Sequence, residues 1–337
     1  MPGAAHPDGF DGGPDPSVSA AGARIAAILS GEVAAGLRDP TGSDLVFEER
    51  IQLRNLARGV TPLDVWAVDG GQALVADARC LQVYVTRASR VRWRDGGSVL
   101  EEEGALQAFL VGLGEERRFL ATLGAPVPKD SVVDVNLVRD WKEWAVVSRC
   151  IEEADPGAMV LVDGDLQPDW RVPSEWLKSL LARADERRVL VAGVTKHTSL
   201  SWNGAPLLAQ LERMAADSFG DRGCWWVPVA RTRSDVGAGI QVVVARMDPD
   251  ARFSFRIDLP AGHDPEAALS ALSALCDDAA FPGYPYPLSV ADRLAACGAS
   301  VRDEVWAEIE EQLDRAGVPP DVRERAFADR HRLMERA

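Results

Sequence analysis

The chain has 337 residues and a formal net charge of −15, and this length suffices for one large domain or two smaller ones with a substantial core. Hydrophobic residues make up 47% of it and charged residues 26%, an ordinary balance for a globular protein. No apolar run approaches the roughly eighteen residues that a membrane-spanning helix needs, so we expect no membrane partner. The negative charge argues against nonspecific nucleic-acid binding by the whole surface, but it is compatible with a local basic channel.

The N-terminal segment and the cysteines indicate the cellular compartment of the protein. Residues 1–16 are rich in Gly, Pro and Asp and lack the basic start and apolar stretch of a signal peptide, so we expect a disordered tail. The five cysteines are scattered and form no CxxC pair. This argues against a zinc site and favours a reducing compartment. The sequence therefore predicts a cytoplasmic protein.

The first predicted elements form an N-terminal helical region over 17–60. Amphipathic patterns predict helices at 17–37 and 44–58, the second with Ser43 as its N-cap. Runs of β-branched and apolar residues then predict antiparallel strands, which span 64–69, 73–78 and 80–93.

A helical insertion is predicted next, at about 100–153. Apolar residues there recur with the spacing of one helix face. They are Leu106, Phe109, Leu110 and Leu113 in one segment, and Val138, Trp141 and Ala145 in the next.

Strands and helices alternate in the remainder of the chain. Predicted strands span 159–163, 189–194, 225–230, 240–247 and 253–259. Predicted helices begin at Pro173, span 206–216 and fill most of 265–337. This order predicts an α/β fold with a mixed sheet and flanking helices, its core over 61–262, followed by a C-terminal helical region over 263–337.

Two Asp-Gly motifs are the most informative feature of the sequence. Asp69-Gly70-Gly71 and Asp163-Gly164 each follow an apolar run with β propensity. Because glycine lets the chain turn, each aspartate is predicted at the end of a buried strand. Asp-Gly is also a common turn with no further role. Two carboxylates at adjacent strand ends would repel one another, however, unless a cation lay between them, which predicts an oxygen-ligand site for magnesium or manganese.

Further candidates complete this site. Functional groups of an α/β sheet gather at the carboxyl ends of its strands, and Lys196 comes just after the strand at 189–194. Glu143, on the helix before the second motif, is the candidate third acid, with Glu152 and Glu153 as alternatives. Such carboxylates suit phosphodiester hydrolysis with two hard cations about 3.5–4 Å apart. Lys196 would stabilise charge on the phosphate, although alone it could equally be a surface lysine.

Arginines and tyrosines are the candidates for nucleic-acid contacts. Arg79, Arg90 and Arg92 belong to an arginine-rich strand region that faces either phosphate or solvent. Tyr284 and Tyr286, within Tyr-Pro-Tyr-Pro-Leu, are candidates to stack on a base. The prolines could equally make only a rigid turn.

The order and spacing of these motifs resemble NurA, the nuclease partner of HerA-type hexameric DNA translocases. The resemblance covers about 64–294. The matching segments are Asp69-Gly70-Gly71, Arg139 with Glu143, Asp163-Gly164-Asp165-Leu166, Gly193-Val194-Thr195-Lys196 and Tyr284-Pro285-Tyr286-Pro287-Leu288.

The resemblance implies an RNase H-like core and a metal-dependent DNA nuclease. The catalytic residues would be Asp69, Glu143, Asp163 and Lys196, with Asp69, Glu143, Asp163 and Asp292 as metal ligands. It also implies dependence on manganese, with magnesium as the other suitable cation, and a homodimer. The activity would be a 5′ to 3′ exonuclease and single-strand endonuclease that works with the HerA-type ATPase in DNA end resection and repair.

Three positions depart from the NurA pattern. Gly71 and Asp165 stand where the family has serine, and Asp292 stands where it has histidine. Asp165 would either point away or join the metal shell. Asp292 can still bind a hard metal, or it could cap a helix or face solvent. A second hypothesis is therefore a catalytically weak or inactive adaptor subunit of the translocase, and an RNA-directed enzyme of the same fold class also stays open.

Overall fold

The computed structural model describes residues 17–31, 36–39, 45–60, 64–124, 133–166, 173–233, 239–328 and 334. The predicted tail at 1–16 and the predicted cap Ser43 lie outside these residues. The helices are α1 (Val18–Ser30), α2 (Glu115–Thr122), α3 (Asn136–Glu153), α4 (Ser174–Glu186), α5 (Leu207–Phe219), α6 (Pro265–Ser273), α7 (Tyr286–Ala295), α8 (Ala299–Arg315) and α9 (Pro320–Phe327). The strands are β1 (Leu37–Arg38), β2 (Leu45–Phe47), β3 (Arg54–Asn55), β4 (Asp64–Asp77), β5 (Gln82–Arg94), β6 (Gly97–Glu102), β7 (Gln107–Val111), β8 (Met159–Asp163), β9 (Leu190–Thr195), β10 (Ser201–Trp202), β11 (Ala205–Pro206), β12 (Trp225–Thr232), β13 (Ile240–Arg246) and β14 (Phe255–Pro260).

An 11-stranded mixed sheet forms the centre of the fold. Its strands lie in the order β2-β12-β13-β14-β9-β8-β4-β5-β6, while β3 also pairs with β12 and β7 with β5. The central strands β4, β8 and β9 are parallel neighbours, and β14 and β5 pair antiparallel with their outer edges. Strands β1, β10 and β11 form a separate small sheet. The predicted fold class, a mixed sheet with flanking helices, is confirmed.

Helices cover both faces of the parallel centre. Side chains alternate between the faces along β8, because successive residues of a strand point in opposite directions. Leu161 packs in the cluster that includes Leu269 of α6 and Leu288 of α7, whereas Val160 packs with Val147 of α3 and the α4 leucines. The middle of β4 and the carboxyl end of β8 are therefore flanked by α3 on one face and α7 on the other.

Two predicted helices are strands in the structure. The segment predicted as a helix at 44–58 contains β2 and β3, which both pair with β12. The segment at 106–113 contains β7, which pairs with β5 and places Phe109 in a small apolar cluster. In both segments a few apolar residues fit a helical period, but pairing with a distant strand decides the conformation.

Other predicted elements are present with shifted bounds. Helix α1 is shorter than predicted because Gly31, in the left-handed conformation, ends it. Helices α6 to α9 supply the helices predicted after residue 265. All five cysteines are free thiols. No helix within the described ranges has both the length and the apolar character needed to cross a bilayer.

Candidate active site

Parallel pairing of β4 and β8 brings the two Asp-Gly motifs together. The register aligns Val68 with Val162, so Asp69 and Asp163, the next residues, lie side by side. The sequence prediction of adjacent strands carrying these aspartates agrees with this arrangement. Asp163 is the last residue of β8.

Asp69, in contrast, does not end a strand. Strand β4 runs without a break through Asp69, Gly70 and Gly71, so the predicted turn there is wrong. The glycines instead allow neighbouring helices to approach β4. A Cβ on Gly70 would lie 2.9 Å from Glu143 Oε2, and a Cβ on Gly71 would collide with the backbone carbonyl of Ala295. Their lack of a side chain lets α3 and α7 pack closely against β4 beside Asp69.

Helix α7 contributes the third carboxylate. Asp292 lies one turn before the end of α7, which packs on β4. Ligand oxygens of Asp69, Asp163 and Asp292 all lie within 4.8 Å of one another. We call these three residues the acidic triad. Asp69 is buried, Asp163 half-buried and Asp292 exposed, so the triad opens to solvent on the Asp292 side.

Glu143 extends the acidic site on the α3 side. Its side chain is buried, and it borders the same cavity of about 430 Å³ as the acidic triad. Burial, reinforced by the charge of Asp69, raises the pKa of Glu143 well above its ordinary value, against the opposing charge of Arg139. Glu143 lies next to the acidic triad, but its carboxylate is not one of the three whose oxygens all lie within 4.8 Å of one another.

The predicted lysine joins the same site. Lys196 Nζ donates to Asp163 Oδ2 at 2.7 Å and to Asp292 Oδ1 at 2.9 Å. Burial opposes its charge, but these hydrogen bonds raise the pKa of Lys196 above its ordinary value. Lys196 therefore remains an ammonium group and neutralises part of the negative charge of the triad.

Like charges crowd around Asp69. Burial first, and then the charges of Asp163 and Asp292, raise the pKa of Asp69 to about 8, although Lys196 and the N–H of Gly70 act in the opposite direction. Concentrated carboxylates of this kind are typical of sites that hold a cation. The donor set of the triad contains only carboxylate oxygens, which suits hard cations such as Mg²⁺ and Mn²⁺.

The cavity also contains residues that were not selected as site residues from the sequence. Arg139 lines it together with Glu143, and Gln72 and Cys297 lie on its wall. Arg139 was named in the sequence only as part of the match to NurA, and it lies four residues before Glu143 and so shares its face of α3. Gln72 and Cys297 carried no sequence signal. His197, the residue after Lys196, is exposed.

The two tyrosines have different surroundings, and Tyr284 is not placed to stack on a base. Tyr284 is 1% exposed, and Phe255 and Phe281 surround its ring. Lys196 Nζ lies 5.1 Å from the centre of that ring, so Tyr284 forms the floor beneath the lysine. Tyr286 packs edge-on against Trp93 with its ring centre 5.2 Å away. The burial of Tyr284 argues against its predicted stacking role, whereas that of Tyr286 stays a prediction. Tyr286, Pro287 and Leu288 begin helix α7, so the segment is a helix start as well as a turn.

The predicted arginines have different surroundings. Arg90 is buried over the ring of Trp66 and donates to Glu102 and Glu153. Arg92 forms two hydrogen bonds with Asp64, at 2.7 and 2.9 Å. Their donors are occupied by acids, so the expectation that they face phosphate is wrong. Arg79 is exposed, with a positive φ of 68° and a 3.5 Å ion pair to Asp77, and its predicted role stays a prediction.

Comparison with known proteins shows which structures share this fold. No known family model matches the chain, and no curated protein matches it. The structure is similar to that of the NurA nuclease from Sulfolobus solfataricus, with a TM-score of 0.55 and 14% identity, over 78% of this chain and 88% of that one. A second NurA structure gives a TM-score of 0.48 and 9% identity over 71% and 85%. The catalytic domain of human endonuclease V gives 0.37 and 18% identity over 79% and 92%. The resemblance predicted from the motifs is thus confirmed in the structure: the chain has the fold of the NurA nuclease.

Proposed function

We propose that the chain is a divalent-metal-dependent DNA nuclease of the NurA type. The observation that carries this proposal is the acidic triad, three carboxylates within 4.8 Å of one another, held together with Lys196 at the sheet edge of a NurA-like fold. Carboxylates gathered this closely are costly to a protein without a compensating cation. A phosphodiester hydrolase that binds metal ions at these carboxylates would offset this repulsion.

The residues have separate roles in this proposal. Asp69, Asp163 and Asp292 hold the cation, and Glu143 is the further ligand on the α3 side. The bound metal would activate water and stabilise negative charge on the phosphate. Lys196 keeps its proton and offers a positive charge next to the triad, where the phosphate would lie. Burial and the charge of Asp69 raise the pKa of Glu143, and a cation bound beside it would favour its ionised form.

The positions that depart from the NurA pattern favour the nuclease over the adaptor hypothesis. Asp292, which stands in place of histidine, belongs to the triad. An oxygen ligand there suits Mn²⁺ or Mg²⁺ better than softer metals. Asp165 is not among the residues that line the cavity, and its carboxylate lies 3.6 Å from Arg256. Gly71 is the site of close packing with α7. None of the three substitutions removes a carboxylate from the site.

The finer activity and the assembly rest on the motif resemblance. We propose a 5′ to 3′ exonuclease and single-strand endonuclease that works with a HerA-type hexameric ATPase in DNA end resection, in the cytoplasm and as a homodimer. Exposed apolar residues at the N-terminal end are compatible with such contacts: Ile25 and Leu29 of α1 are 56% and 48% exposed.

A cleavage assay tests the proposal. Single-stranded DNA, double-stranded DNA and RNA, labelled at either the 5′ or the 3′ end, would be incubated with Mn²⁺, Mg²⁺ or EDTA. We expect DNA cleavage with Mn²⁺ and none with EDTA, with the products of the two labels giving the polarity. Asp69→Asn is the inactive control, because it keeps the shape of the side chain.

Three outcomes would contradict parts of the proposal. Cleavage that persists in EDTA or in Asp69→Asn would exclude the acidic triad as the active site. Cleavage of RNA alone would exclude DNA as the substrate. No cleavage with either metal, together with binding to the cognate translocase, would establish the adaptor instead.

A further inference from the structure

A buried ion pair contacts the two loops that follow Asp163 and Lys196. Arg256 and Asp258 lie two residues apart on β14, next to β9, and therefore on the same face of the sheet. Their side chains are 3% and 0% exposed. Arg256 Nε and Nη2 each donate to one oxygen of the Asp258 carboxylate at 2.8 Å. This is a two-point ion pair removed from solvent.

The pair contacts the loop that follows Asp163. The N–H of Leu166 donates to Asp258 Oδ2 at 3.1 Å, and Arg256 Nη1 lies 3.6 Å from an Asp165 oxygen. The same loop is bound to β9, because the N–H of Gly164 donates to the carbonyl of Val194 at 3.1 Å. A Cβ on Gly193 would lie 2.5 Å from the Gly164 carbonyl, so the loop and β9 are in close contact.

The same arginine also reaches the loop that follows Lys196. Arg256 Nη1 lies 3.5 Å from Thr198 Oγ1, two residues beyond the lysine. One guanidinium thus stands between the segment after Asp163 and the segment after Lys196. The side chains just before these two segments are those of Asp163 and Lys196, which meet at 2.7 Å in the candidate active site.

We propose that Arg256 and Asp258 are a positioning pair, which fixes the placement of Asp163 relative to Lys196. Asp165 belongs to this network and is not a ligand of the cation. The inference rests on the proposed function, since it concerns the same active site. It gives this chain's aspartate a role at the position where the NurA pattern has serine.

Stability alone does not account for such a pair. Burying two charges costs about as much free energy as their attraction returns, and apolar residues of similar volume often give equal stability. Groups that hold metal ligands in place through hydrogen bonds are different, because their loss typically lowers metal affinity or activity about 10–100-fold. A positioning role therefore predicts a functional defect in a protein that still folds.

The test uses the double variant Arg256→Met/Asp258→Leu, which removes both charges and leaves neither unpaired. Mn²⁺ binding is measured by titration calorimetry, the fold by thermal unfolding, and kcat and KM on single-stranded DNA. We expect a folded protein whose Mn²⁺ affinity and kcat each fall about 10–100-fold, with KM for DNA little changed. Arg256→Lys, which keeps the charge but loses the two-point geometry, is expected to show the same defect and serves if the double variant does not fold.

Two further variants make the result specific. Arg92→Met/Asp64→Leu removes a comparable two-point ion pair at the first residue of β4, away from the acidic triad. This variant is expected to leave Mn²⁺ affinity and kcat unchanged. Asp165→Asn is expected to bind Mn²⁺ within about threefold of the unmodified protein, since the asparagine oxygen can still contact Arg256, whereas a cation ligand would lose its negative charge.

The outcomes separate the two proposals. Unmodified protein that neither binds Mn²⁺ nor cleaves DNA overturns the proposed function and this inference with it. An active unmodified protein and a folded Arg256 variant with equal affinity and kcat overturn the positioning role alone. A loss of Mn²⁺ affinity beyond threefold in Asp165→Asn overturns the assignment of that residue to the network.

Discussion

Asp69 occupies the most buried position of the acidic triad, and its charge has the least access to water. Substitution by asparagine keeps the side-chain shape but removes a negative ligand. We expect Asp69→Asn to lower kcat at least a hundredfold, which corresponds to about 2.7 kcal/mol in the activation free energy. We expect no fall in melting temperature in EDTA, because burial and the neighbouring carboxylates raise the pKa of Asp69 to about 8 and so already disfavour the charge that the substitution removes.

Asp163→Asn should give the same loss of cleavage. It also removes the negative charge that pairs with Lys196, so its effect on stability is less favourable than that of Asp69→Asn. Turnover assays and thermal unfolding in EDTA measure both effects. Full activity in a folded Asp69→Asn protein would place the chemistry elsewhere.

Lys196 has a different role and a different expected defect. Its ammonium group bonds to two residues of the triad, and a cation bound there would compete with it for the same carboxylates. We therefore expect Lys196→Ala to lower kcat at saturating Mn²⁺ at least tenfold while Mn²⁺ affinity stays equal or rises. Calorimetric titration and turnover at saturating metal separate the two quantities. A variant that loses Mn²⁺ affinity and keeps turnover would assign the lysine to metal binding.

At the scale of elements, the packing of α7 on β4 sets the position of Asp292. A Cβ on Gly71 would meet the backbone carbonyl of Ala295 in α7. We expect Gly71→Ala to displace α7, to lower the free energy of unfolding by about 1–3 kcal/mol and to weaken Mn²⁺ binding. Gly97→Ala is the matched control, because Gly97 lies in a strand, has no positive φ, and a Cβ there would meet no atom of the described residues within 4 Å beyond its chain neighbours.

Urea unfolding and calorimetry measure these effects. Equal stability of Gly71→Ala and Gly97→Ala would show that α7 adjusts freely. In that case Asp292 would not depend on this contact for its position.

The ion pair between β4 and β5 should make stability depend on pH. Burial opposes the charge of Asp64, but the hydrogen bonds from Arg92 outweigh it and hold the pKa of Asp64 below its ordinary value. A lowered pKa in the folded state contributes stability above the unfolded pKa of about 3.9, and this contribution is lost as pH falls through the folded value. Asp64→Asn should therefore cost about 3–5 kcal/mol at pH 7 and progressively less as pH falls below about 4.

Urea unfolding of both proteins from pH 7 to pH 3 checks this sign. A difference in the free energy of unfolding that grows on acidification would contradict the stabilising role of the charged carboxylate. Arg92 would then be placed by packing on Trp66 and not by the ion pair.

Some helices and strands can be predicted from the sequence better than others, and the reason is physical. The runs before Asp69 and Asp163 are apolar on both faces, and such runs form buried strands wherever they lie, so their adjacency could be anticipated. Short segments such as 44–58 and 106–113 carry too few apolar residues to distinguish a helix from a strand. Their conformation depends on partners in β12 and β5 that lie far away in sequence.

The candidate site shows the same division. Asp69, Asp163 and Lys196 were identifiable because they lie on or just after recognisable strands, whereas Asp292, on α7, was named only through the resemblance to NurA. The buried state of Arg90 and Tyr284 and the ion pair of Arg92 depend on tertiary neighbours, which no local pattern reveals. The uninterrupted course of β4 through Asp69-Gly70-Gly71 likewise depends on the close packing of α3 and α7, so a turn was the natural prediction.

At the scale of the whole molecule, the net charge of −15 and the acidic site together disfavour tight DNA binding by the chain alone. Affinity would have to come from a second subunit or from a partner that delivers the strand. Helix α1 offers a surface for such a contact, since it has no buried residue and exposes Ile25 and Leu29. Apolar residues four apart lie on one face of a helix and are common anchors of helix-mediated association.

We therefore expect light scattering to give twice the chain mass of 36.4 kDa at micromolar concentration. The variant Ile25→Glu/Leu29→Glu should shift this species to the monomer, because two charges would be buried in an apolar contact. Ala23→Glu is the matched control, since Ala23 is exposed on the same helix but away from the face of Ile25 and Leu29. Mn²⁺ affinity should be unchanged in both variants, because the acidic triad is built from β4, β8 and α7. A monomer of the unmodified chain that also fails to shift on addition of the cognate translocase would refute the assembly while leaving the metal site intact.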